Sequence, residues 1–421
     1  MQALLSLALL MHPGFHPAQS PVKPYPSSPG LMRPVAVLAD TTYFDYEHIE
    51  PNRERFFFDV TRAGTRLVAA TARGLQAFDI SDPSSPVEPY FHGPQLFEEW
   101  RHSDKDFFIT SVDAEGDLVV VGAEEQGLAV IALDGMRMSL RFQDIGAIIP
   151  RQVWATTLPS GEIWAFAADK SAGLFGYEIT ECVAGPCEPS RINLSSTGTF
   201  WVHGTGEYLV SRPSTNRVEI RSIADPQAPA LRLAGTTPSF TNQAVIWEDD
   251  GLLYLAALGN HKLWVYDVTC AKQVQGCAGL PSYVEYDVPD DSIPGLSRQK
   301  FLSLSQDNGR TFIYVGNAIT GTVCVEQREY LFEARGQSLE EIPANWAWYY
   351  ESCRQWSDGV PHAQPPGFNN AIPMRGLVHG NHFYRAAFAF LDAFNLGKPT
   401  AIFADGFEDG DIRRWGVQSF Q

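Results

Sequence analysis

Aromatic residues crowd one short stretch of this 421-residue sequence, where the chain reads NWAWYYESCRQW. The group comprises Trp346, Trp348, Tyr349, Tyr350 and Trp356. Exposed rings of this kind stack on sugars or anchor protein interfaces, which makes the group a possible ligand platform. Ser338 and Glu341 suit a helix capping box just before it. The alternative is therefore a helix that buries the same rings over one end of the fold.

Carboxylates and histidines are the other side chains that could carry acid–base or metal chemistry. The candidates are Asp113, Asp169, Asp249 and Asp250, and the histidine pairs His92/His102 and His379/His382. Asp113, Asp249 and Asp250 stand beside glycines in apparent hairpin turns, where Asp is expected for turn formation alone. On one strand, residues i and i+3 point to opposite faces, which argues against a His379/His382 metal pair.

The sequence contains no GxSxG, HExxH, GxGxxG or Walker motif. We therefore assign no catalytic and no cofactor-binding residue, and leave metal ligands open. In a fold built from repeats, catalytic groups can come from several repeats and leave no local motif. An enzyme therefore stays possible but is the less favoured class.

The six cysteines fall into three local pairs, Cys182 with Cys187, Cys270 with Cys277, and Cys324 with Cys353. An even count with short, turn-rich spacing predicts three disulfides formed in an oxidising compartment. Buried free thiols are the alternative. A zinc site is disfavoured because the sequence has no CxxC.

The N-terminus suggests export. An apolar run from Ala3 to Met11 has the length of a signal-peptide core, and small residues follow near Ala18. No Lys or Arg precedes the run, so an apolar start without export is the alternative. We predict a signal peptide at 1–20, a Pro-rich leader without fixed structure at 21–34, and a secreted, cell-surface or periplasmic protein.

Composition narrows the classes of partner. The formal net charge is −18, which disfavours nucleic acid because phosphate contacts need clustered Lys and Arg. No stretch reaches the roughly 18 apolar residues of a transmembrane helix. The oligomeric state is not predicted.

A repeated pattern of short strands organises most of the chain. Six copies begin at Phe56, Phe107, Gln152, Thr199, Gln243 and Lys300. Their equivalent third-strand positions are Leu75, Leu128, Leu174, Val218, Leu263 and Thr322. Several strands are apolar on both faces, as in Leu67 to Ala70, so the copies must stack against each other. This spacing predicts the blades of an all-β propeller.

The chain ends supply one further blade. PVAVLADTTYF near the N-terminus and the segment from Leu377 would close the ring at about seven blades, with six as the alternative. The segment from Leu377 also fits a helix, with Phe383, Ala386 and Phe394 on one face. The predicted propeller covers 35–400, with a partly helical insertion at 328–374.

The first copy ends LQAFDISDPSSPVEPY and the fourth ends IRSIADPQAPAL. Both resemble the repeat of bacterial exported propellers whose third strand reads LVIVD before a DPxxP linker. The resemblance implies that two linkers form the turn leaving a blade's third strand. These linkers are Asp82, Pro83 and Pro86, and Asp225, Pro226 and Pro229.

The acidic C-terminal tail, 401–421, reads IFADGFEDGDIRRW from Ile402. It resembles a segment, FADGFExGDxxxW, at the ends of many exported bacterial proteins, which implies a sorting or anchoring role. A simple exposed acidic end is one alternative. Calcium bound by Asp405, Glu408, Asp409 and Asp411 is the other, and it is the only cofactor we regard as possible.

Taken together, the residues predict a secreted or cell-surface propeller that acts as a binding scaffold. The expected partner is an extracytoplasmic protein or glycan. The alternative is a lactonase-like or glycosidase-like propeller hydrolase with its site at the channel mouth.

Overall fold

The structure, a computed structural model, describes residues 22–24, 34–40, 57–71, 75–81, 90–92, 109–123, 127–134, 137–241, 243–288, 297–320, 330–342, 348–350, 375–387 and 390–396. The regular elements in these ranges are β-strands and two short 3₁₀ turns, Thr180–Val183 and Thr269–Lys272. No helix in them is long and apolar enough to cross a membrane. The predicted all-β class is confirmed.

The strands form seven four-stranded antiparallel sheets, the blades of the ring. The first, innermost strands are β3 (Phe57–Ala63), β7 (Ser111–Glu115), β11 (Pro150–Thr157), β15 (Val202–Thr205), β19 (Gln243–Asp249), β23 (Ser297–Asp307) and β28 (Arg375–His379). The second strands are β4 (Arg66–Thr71), β8 (Leu118–Gly122), β12 (Ile163–Asp169), β16 (Tyr208–Ser214), β20 (Leu252–Leu258), β24 (Arg310–Thr320) and β29 (His382–Ala387). The third strands are β5 (Leu75–Asp79), β9 (Leu128–Asp134), β13 (Gly173–Glu178), β17 (Arg217–Ser222), β21 (Lys262–Asp267), β25 (Tyr330–Arg335) and β30 (Phe390–Asn395). The fourth strands are β6 (Tyr90–His92), β10 (Arg137–Asp144), β14 (Arg191–Ser195), β18 (Ala230–Thr236), β22 (Tyr283–Asp287), β26 (Ser338–Glu341) and β2 (Pro34–Asp40).

Apolar side chains on both faces of the inner strands fill the spaces between blades. On β4, Val68 and Ala70 pack against the second blade, whereas Leu67 and Ala69 pack against the seventh. The same alternation continues around the ring, so each pair of consecutive blades encloses its own buried cluster. The predicted burial on both faces is confirmed, and truncation at Leu67→Ala would cost about 2–5 kcal/mol.

The seventh blade is assembled from both ends of the chain. Strand β2 pairs antiparallel with β30, so an N-terminal strand completes a sheet of three C-terminal strands. Leu377 and Tyr384 of this blade share a buried cluster with Val60 and Leu67 of the first. The ring is thereby closed, as the prediction of a blade from both termini required.

A separate two-stranded sheet pairs β1 (Val22–Pro24) with β27 (Trp348–Tyr350). Part of the Pro-rich leader, predicted to have no fixed structure, is thus a strand beside the backbone of the aromatic segment. Trp346 and Trp356 lie outside the described residues.

The sixth blade differs from its prediction. Its third strand is β25, which begins at Tyr330, whereas the prediction placed that strand at Thr322, which lies outside the described residues. The residues from Ser338 to Glu341 are strand β26 rather than the start of a helix. Arg335 pairs with Ser338 across a tight turn in which Gly336 has φ 59°, so no capping box forms. Two blade strands therefore fall inside the range predicted as an insertion.

The segment from Leu377 forms strands β28, β29 and β30, not the helix kept as an alternative. Phe383 pairs with Phe394 across two neighbouring strands. The aromatic spacing that imitated a helix face comes from residues on opposite sides of a hairpin.

Two of the predicted disulfides are present, Cys182–Cys187 and Cys270–Cys277. Each closes a loop between the third and fourth strands of its blade, next to a 3₁₀ turn. The Cys187 amide donates to the Arg141 carbonyl at 3.0 Å, and the Cys277 amide to that of Arg232 at 2.7 Å. Both loops therefore hold the outer strand of the preceding blade. Cys324 and Cys353 lie outside the described residues.

The two faces of the ring carry different connections. We call the face where the first strands begin the entry face; it carries the loops between blades, including 145–149, 196–200 and 237–241. The opposite, hairpin face carries the tight turns after the first strands, such as those at Gly64, Gly116 and Gly206, together with both disulfide loops.

Candidate functional site

Polar side chains meet at the centre of the ring, where apolar packing ends. Each lies at or near the start of a first strand, and every blade except the sixth supplies one or two. The group comprises Asp59, Ser111, Asp113, Gln152, Trp201, His203, Gln243 and Arg375. We call it the axial cluster.

Side chains of one first strand bond the backbone of the next. Asp59 accepts from the Val112 amide at 3.1 Å, and Ser111 from the Val153 amide at 3.2 Å. The same link runs from His203 to the Ile246 amide at 3.3 Å. First strands of neighbouring blades belong to different sheets, so these side chains supply the bonds that a sheet ladder would otherwise make.

Arg375 crosses the axis. From the seventh blade its guanidinium donates to Gln152 of the third blade at 2.9 Å and to the Leu302 carbonyl of the sixth. It lies 4.2 Å above the ring of Trp201 before the fourth blade, and its Nε is 3.7 Å from Asp59 of the first. One side chain therefore ties four other blades together and fills the centre of the ring at this level.

The two axial carboxylates have environments that disfavour ionisation. Burial raises the pKa of Asp59, against the lowering effect of Arg375 and of the hydrogen bonds from Val112 and Ser111. Burial also raises the pKa of Asp113 to about 7, and the negative charge of Asp59 adds to that rise. Asp113 is the less enclosed of the two, since it is partly exposed whereas Asp59 is buried.

All four carboxylate oxygens have donors. Those of Asp59 accept from the Val60 amide, and from Ser111 together with Val112. Those of Asp113 accept from the Thr61 hydroxyl at 3.1 Å and the Ala155 amide at 2.8 Å. Such saturation suits groups that hold strands in register more than groups awaiting a substrate.

His203 is neutral at physiological pH. Burial first, and the charge of Arg375 second, lower its pKa to about 3. Its Nδ1 accepts the Ile246 amide, and its ring lies 6.4 Å from that of Trp154. The residue packs and accepts a hydrogen bond, and in this state it adds no positive charge to the cluster.

The acidic residues singled out from the sequence lie in different places and have different hydrogen-bond partners. Asp113 lies inside strand β7 and at the axis, so its interpretation as a turn residue is wrong. Asp169 accepts from the amides of Ile149, Ser171 and Ala172 and caps a loop. Asp249 accepts from Gly336 at 2.7 Å, while Asp250 occupies a turn with φ 48°.

The histidine pair was also misjudged. His379 and His382 are cross-strand partners on either side of a two-residue turn, so they share a face. His379 Nδ1 lies 2.9 Å from Asp307 Oδ1. In the part of the chain that the structure describes, no group of three or more His, Cys, Asp or Glu residues could hold a metal ion. The backbone of His92 belongs to strand β6, and His102 lies outside the described residues.

Most of the axial cluster was missed because the repeats were aligned on their third strands. Alignment on the first strands would have placed Asp59, Ser111, Gln152, Gln243 and Arg375 in one layer. A polar residue near the start of the first strand in four of the six copies and in the C-terminal segment is the signal that sequence reasoning overlooked.

Comparison with known proteins agrees on architecture. No protein-family model matches the sequence, and no curated protein does. A chain in the crystal structure of the Mitotic Checkpoint Complex superposes with a TM-score of 0.51 at 12% identity, covering 89% of this chain and 98% of that one. The structure of YCF48 bound to D1 peptide gives 0.48 at 12% identity, covering 83% and 94%. This chain is thus a β-propeller whose role must be argued from its own residues.

Proposed function

We propose that this protein is a secreted or cell-surface interaction scaffold whose protein partner binds across the entry face. The observation that carries the proposal is the exposure of apolar side chains on loops of that face. Ile145 is 59% exposed and Phe240 45%, with half-buried Phe200 on the loop between theirs. Exposed apolar side chains mark interaction surfaces. The hairpin face also exposes Val183, Leu252 and Val274, and the entry face is proposed because the aromatic segment joins it.

The aromatic segment would extend the same surface. It lies between β26, the last strand of the sixth blade, and β28, the first strand of the seventh. In this topology that connection leaves and returns at the entry face. Trp346, Trp348, Tyr349, Tyr350 and Trp356 are therefore proposed as further contacts for the partner.

The disulfides support an extracytoplasmic location. Disulfides persist in oxidising compartments and are rare in the cytosol. Two are present here, and the predicted signal peptide at 1–20 would supply the route.

Site-specific photocrosslinking tests the scaffold role. A benzophenone amino acid is placed at Phe240 or Ile145, with Val274 as the control because it is 87% exposed on a disulfide loop of the opposite face. Incubation of the full chain with extracytoplasmic proteins should give one discrete adduct from the two entry-face sites. Its formation should fall when the other entry-face residue is changed to Ser. Equal adducts from Val274 would contradict the proposal.

A glycan array separates the sugar alternative. Binding by the parent that is lost in Trp348→Ala but kept in Ile145→Ser would move the partner from protein to glycan. Absence of binding by the parent would end the sugar interpretation.

A channel hydrolase is the second candidate, supported by one observation. Asp113 combines partial exposure with a pKa of about 7, close to the value a general acid or base needs at neutral pH. A panel of lactones and aryl glycosides tests it, with Asp113→Asn as the variant and Asp249→Asn as the control. Turnover that survives Asp113→Asn would exclude this residue.

A further inference from the structure

A second cationic group lies on the entry face, away from the axial cluster. Arg212 of β16 stacks with its guanidinium carbon 4.7 Å from the ring centre of Phe200. The ammonium of Lys170 lies 5.7 Å from the same centre. Arg212 is only 8% exposed, whereas Lys170 is exposed and Phe200 half-buried. The three residues form a shallow site between the third and fourth blades, which we call the Arg212 site.

The positive charge of this site has no acidic counterpart among the described residues. Burial alone lowers the pKa of Arg212 to about 10, and no carboxylate opposes that shift. Asp169 stands beside Lys170 in sequence, but both its oxygens already accept backbone amides. A buried cation without a counter-charge is costly, so its presence favours an anionic ligand.

The guanidinium also has an unused donor. Its Nη1 donates to the Thr241 carbonyl at 2.8 Å. Its Nε is buried and has no hydrogen-bond partner in the described part of the chain. The Nε edge of arginine is one of those that pair with the two oxygens of a carboxylate.

Arg310 shows what the same geometry looks like when it is satisfied. Its guanidinium carbon lies 4.7 Å from the ring centre of Phe312, the same separation as in the Arg212 site. There Glu333 pairs with the guanidinium, and that hydrogen bond raises the pKa of Arg310. The Arg212 site repeats the stacking distance at a buried arginine, and no described carboxylate pairs with it.

We propose that Arg212, Lys170 and Phe200 form a binding site for a carboxylate group supplied from outside the chain. The guanidinium of Arg212 attracts the carboxylate, Lys170 adds charge from the solvent side, and Phe200 contacts the carbon next to the carboxylate. The carboxylate could belong to a free organic acid or to an acidic side chain of a bound peptide. The site does not depend on the proposed scaffold role.

Ligand-observed NMR and calorimetric titration at constant ionic strength, with chloride as the balancing anion, test the site. One arm uses benzoate and acetate; the other uses acetyl-Gly-Glu-Gly-amide against its Gln counterpart. The parent should bind at least one carboxylate probe, and the Gln peptide should not bind. Binding in one arm only identifies the source.

Variants fix the binding to these residues. Arg212→Met should weaken binding at least tenfold, and Lys170→Gln by about threefold. Arg310→Met, the matched stacked arginine, should leave it unchanged. Absence of binding in both arms, or equal losses in Arg212→Met and Arg310→Met, would overturn the proposal. If Arg212→Met does not fold, Lys170→Gln and Arg212→Lys replace it. Both should weaken carboxylate binding, and unchanged binding in both would overturn the proposal.

Discussion

Arg375 and Arg212 are both buried in this ring, and the charges around them differ. Arg375 and Arg212 each have a pKa lowered to about 10 by burial. Arg375 has Asp59 and Asp113 close enough to counter that effect, with Gln152 and a carbonyl as hydrogen-bond acceptors. Among the described residues Arg212 has one carbonyl acceptor and no acid, and Nε lacks a hydrogen bond in both arginines.

The difference separates a structural charge from a charge that suits ligand binding. A buried cation that is paired and bonded on several sides holds its neighbours in place, and removing it strands their charges. A buried cation short of partners destabilises the free protein and gains when an anion arrives. The same residue type should therefore give opposite responses to the same substitution at the two places.

The largest effect is expected at the axis. Arg375→Met leaves the buried Asp59 and Gln152 without their partner and should lower the free energy of unfolding by about 3–5 kcal/mol. Urea denaturation measures it, with exposed Arg310→Met as the control. Combining it with Asp59→Asn should recover part of the loss, because a neutral amide then replaces the buried carboxyl that lost its partner. A loss of under about 1 kcal/mol would show that Arg375 does not tie the ring.

A pH dependence comes next, through Asp113. Its pKa in the folded protein, about 7, is above its ordinary value of 3.8, so the folded state keeps a proton that the unfolded chain releases. The contribution of protonated Asp113 to the free energy of unfolding is complete below about pH 4. It is lost as pH rises to about 7, by a few kcal/mol in total.

Denaturation curves between pH 4 and 8 should show this decline in the parent and a flatter profile in Asp113→Asn. Asp249→Asn is the control. A parent whose stability does not fall across this range would contradict the buried, protonated carboxyl.

Gln152→Ala tests the hydrogen bond that Arg375 makes to the third blade. It removes the Nη2 acceptor on the far side of the ring while leaving Asp59 in place. An unsatisfied buried donor costs about 1–3 kcal/mol. Thermal unfolding with Gln152→Glu as the comparison should show the Ala variant less stable and the Glu variant close to the parent. Equal stability of all three would place the guanidinium in contact with water.

The smallest effect carries the opposite sign. Arg212→Met replaces an unpaired buried cation with an apolar chain of similar length and should raise stability by about 1 kcal/mol in ligand-free buffer. Differential scanning calorimetry against Arg212→Lys measures it. A destabilisation as large as that of Arg375→Met would remove the distinction between the two arginines.

The sequence was most informative where local patterns decide the structure. Strands such as Leu67 to Ala70 and Leu252 to Ala257 are apolar on both faces, and only stacked sheets can bury both. Short cysteine spacings predicted two disulfides correctly. The Asp225–Pro229 linker likewise forms a turn between β17 and β18, with the Gln227 amide bonded to Asp225.

Features that depend on distant residues were not predictable in this way. Arg375 and Gln152 lie 223 positions apart, and nothing local to either announces the contact. In the sixth blade, Gly336 turns the chain where propensity at Ser338 favoured a helix start. The pairing of His379 with His382 required knowing that a turn separates them.

The position of Arg375 in the chain has a consequence for synthesis. The ribosome delivers the first six blades before the residue that neutralises Asp59 exists. Strand β2 likewise waits for β30, its only partner in the seventh sheet. A nascent or truncated chain therefore holds Asp59 without Arg375 and strand β2 without its partner, and an unpaired strand edge is prone to aggregation. The last blade therefore completes both the axial cluster and the closed ring of sheets.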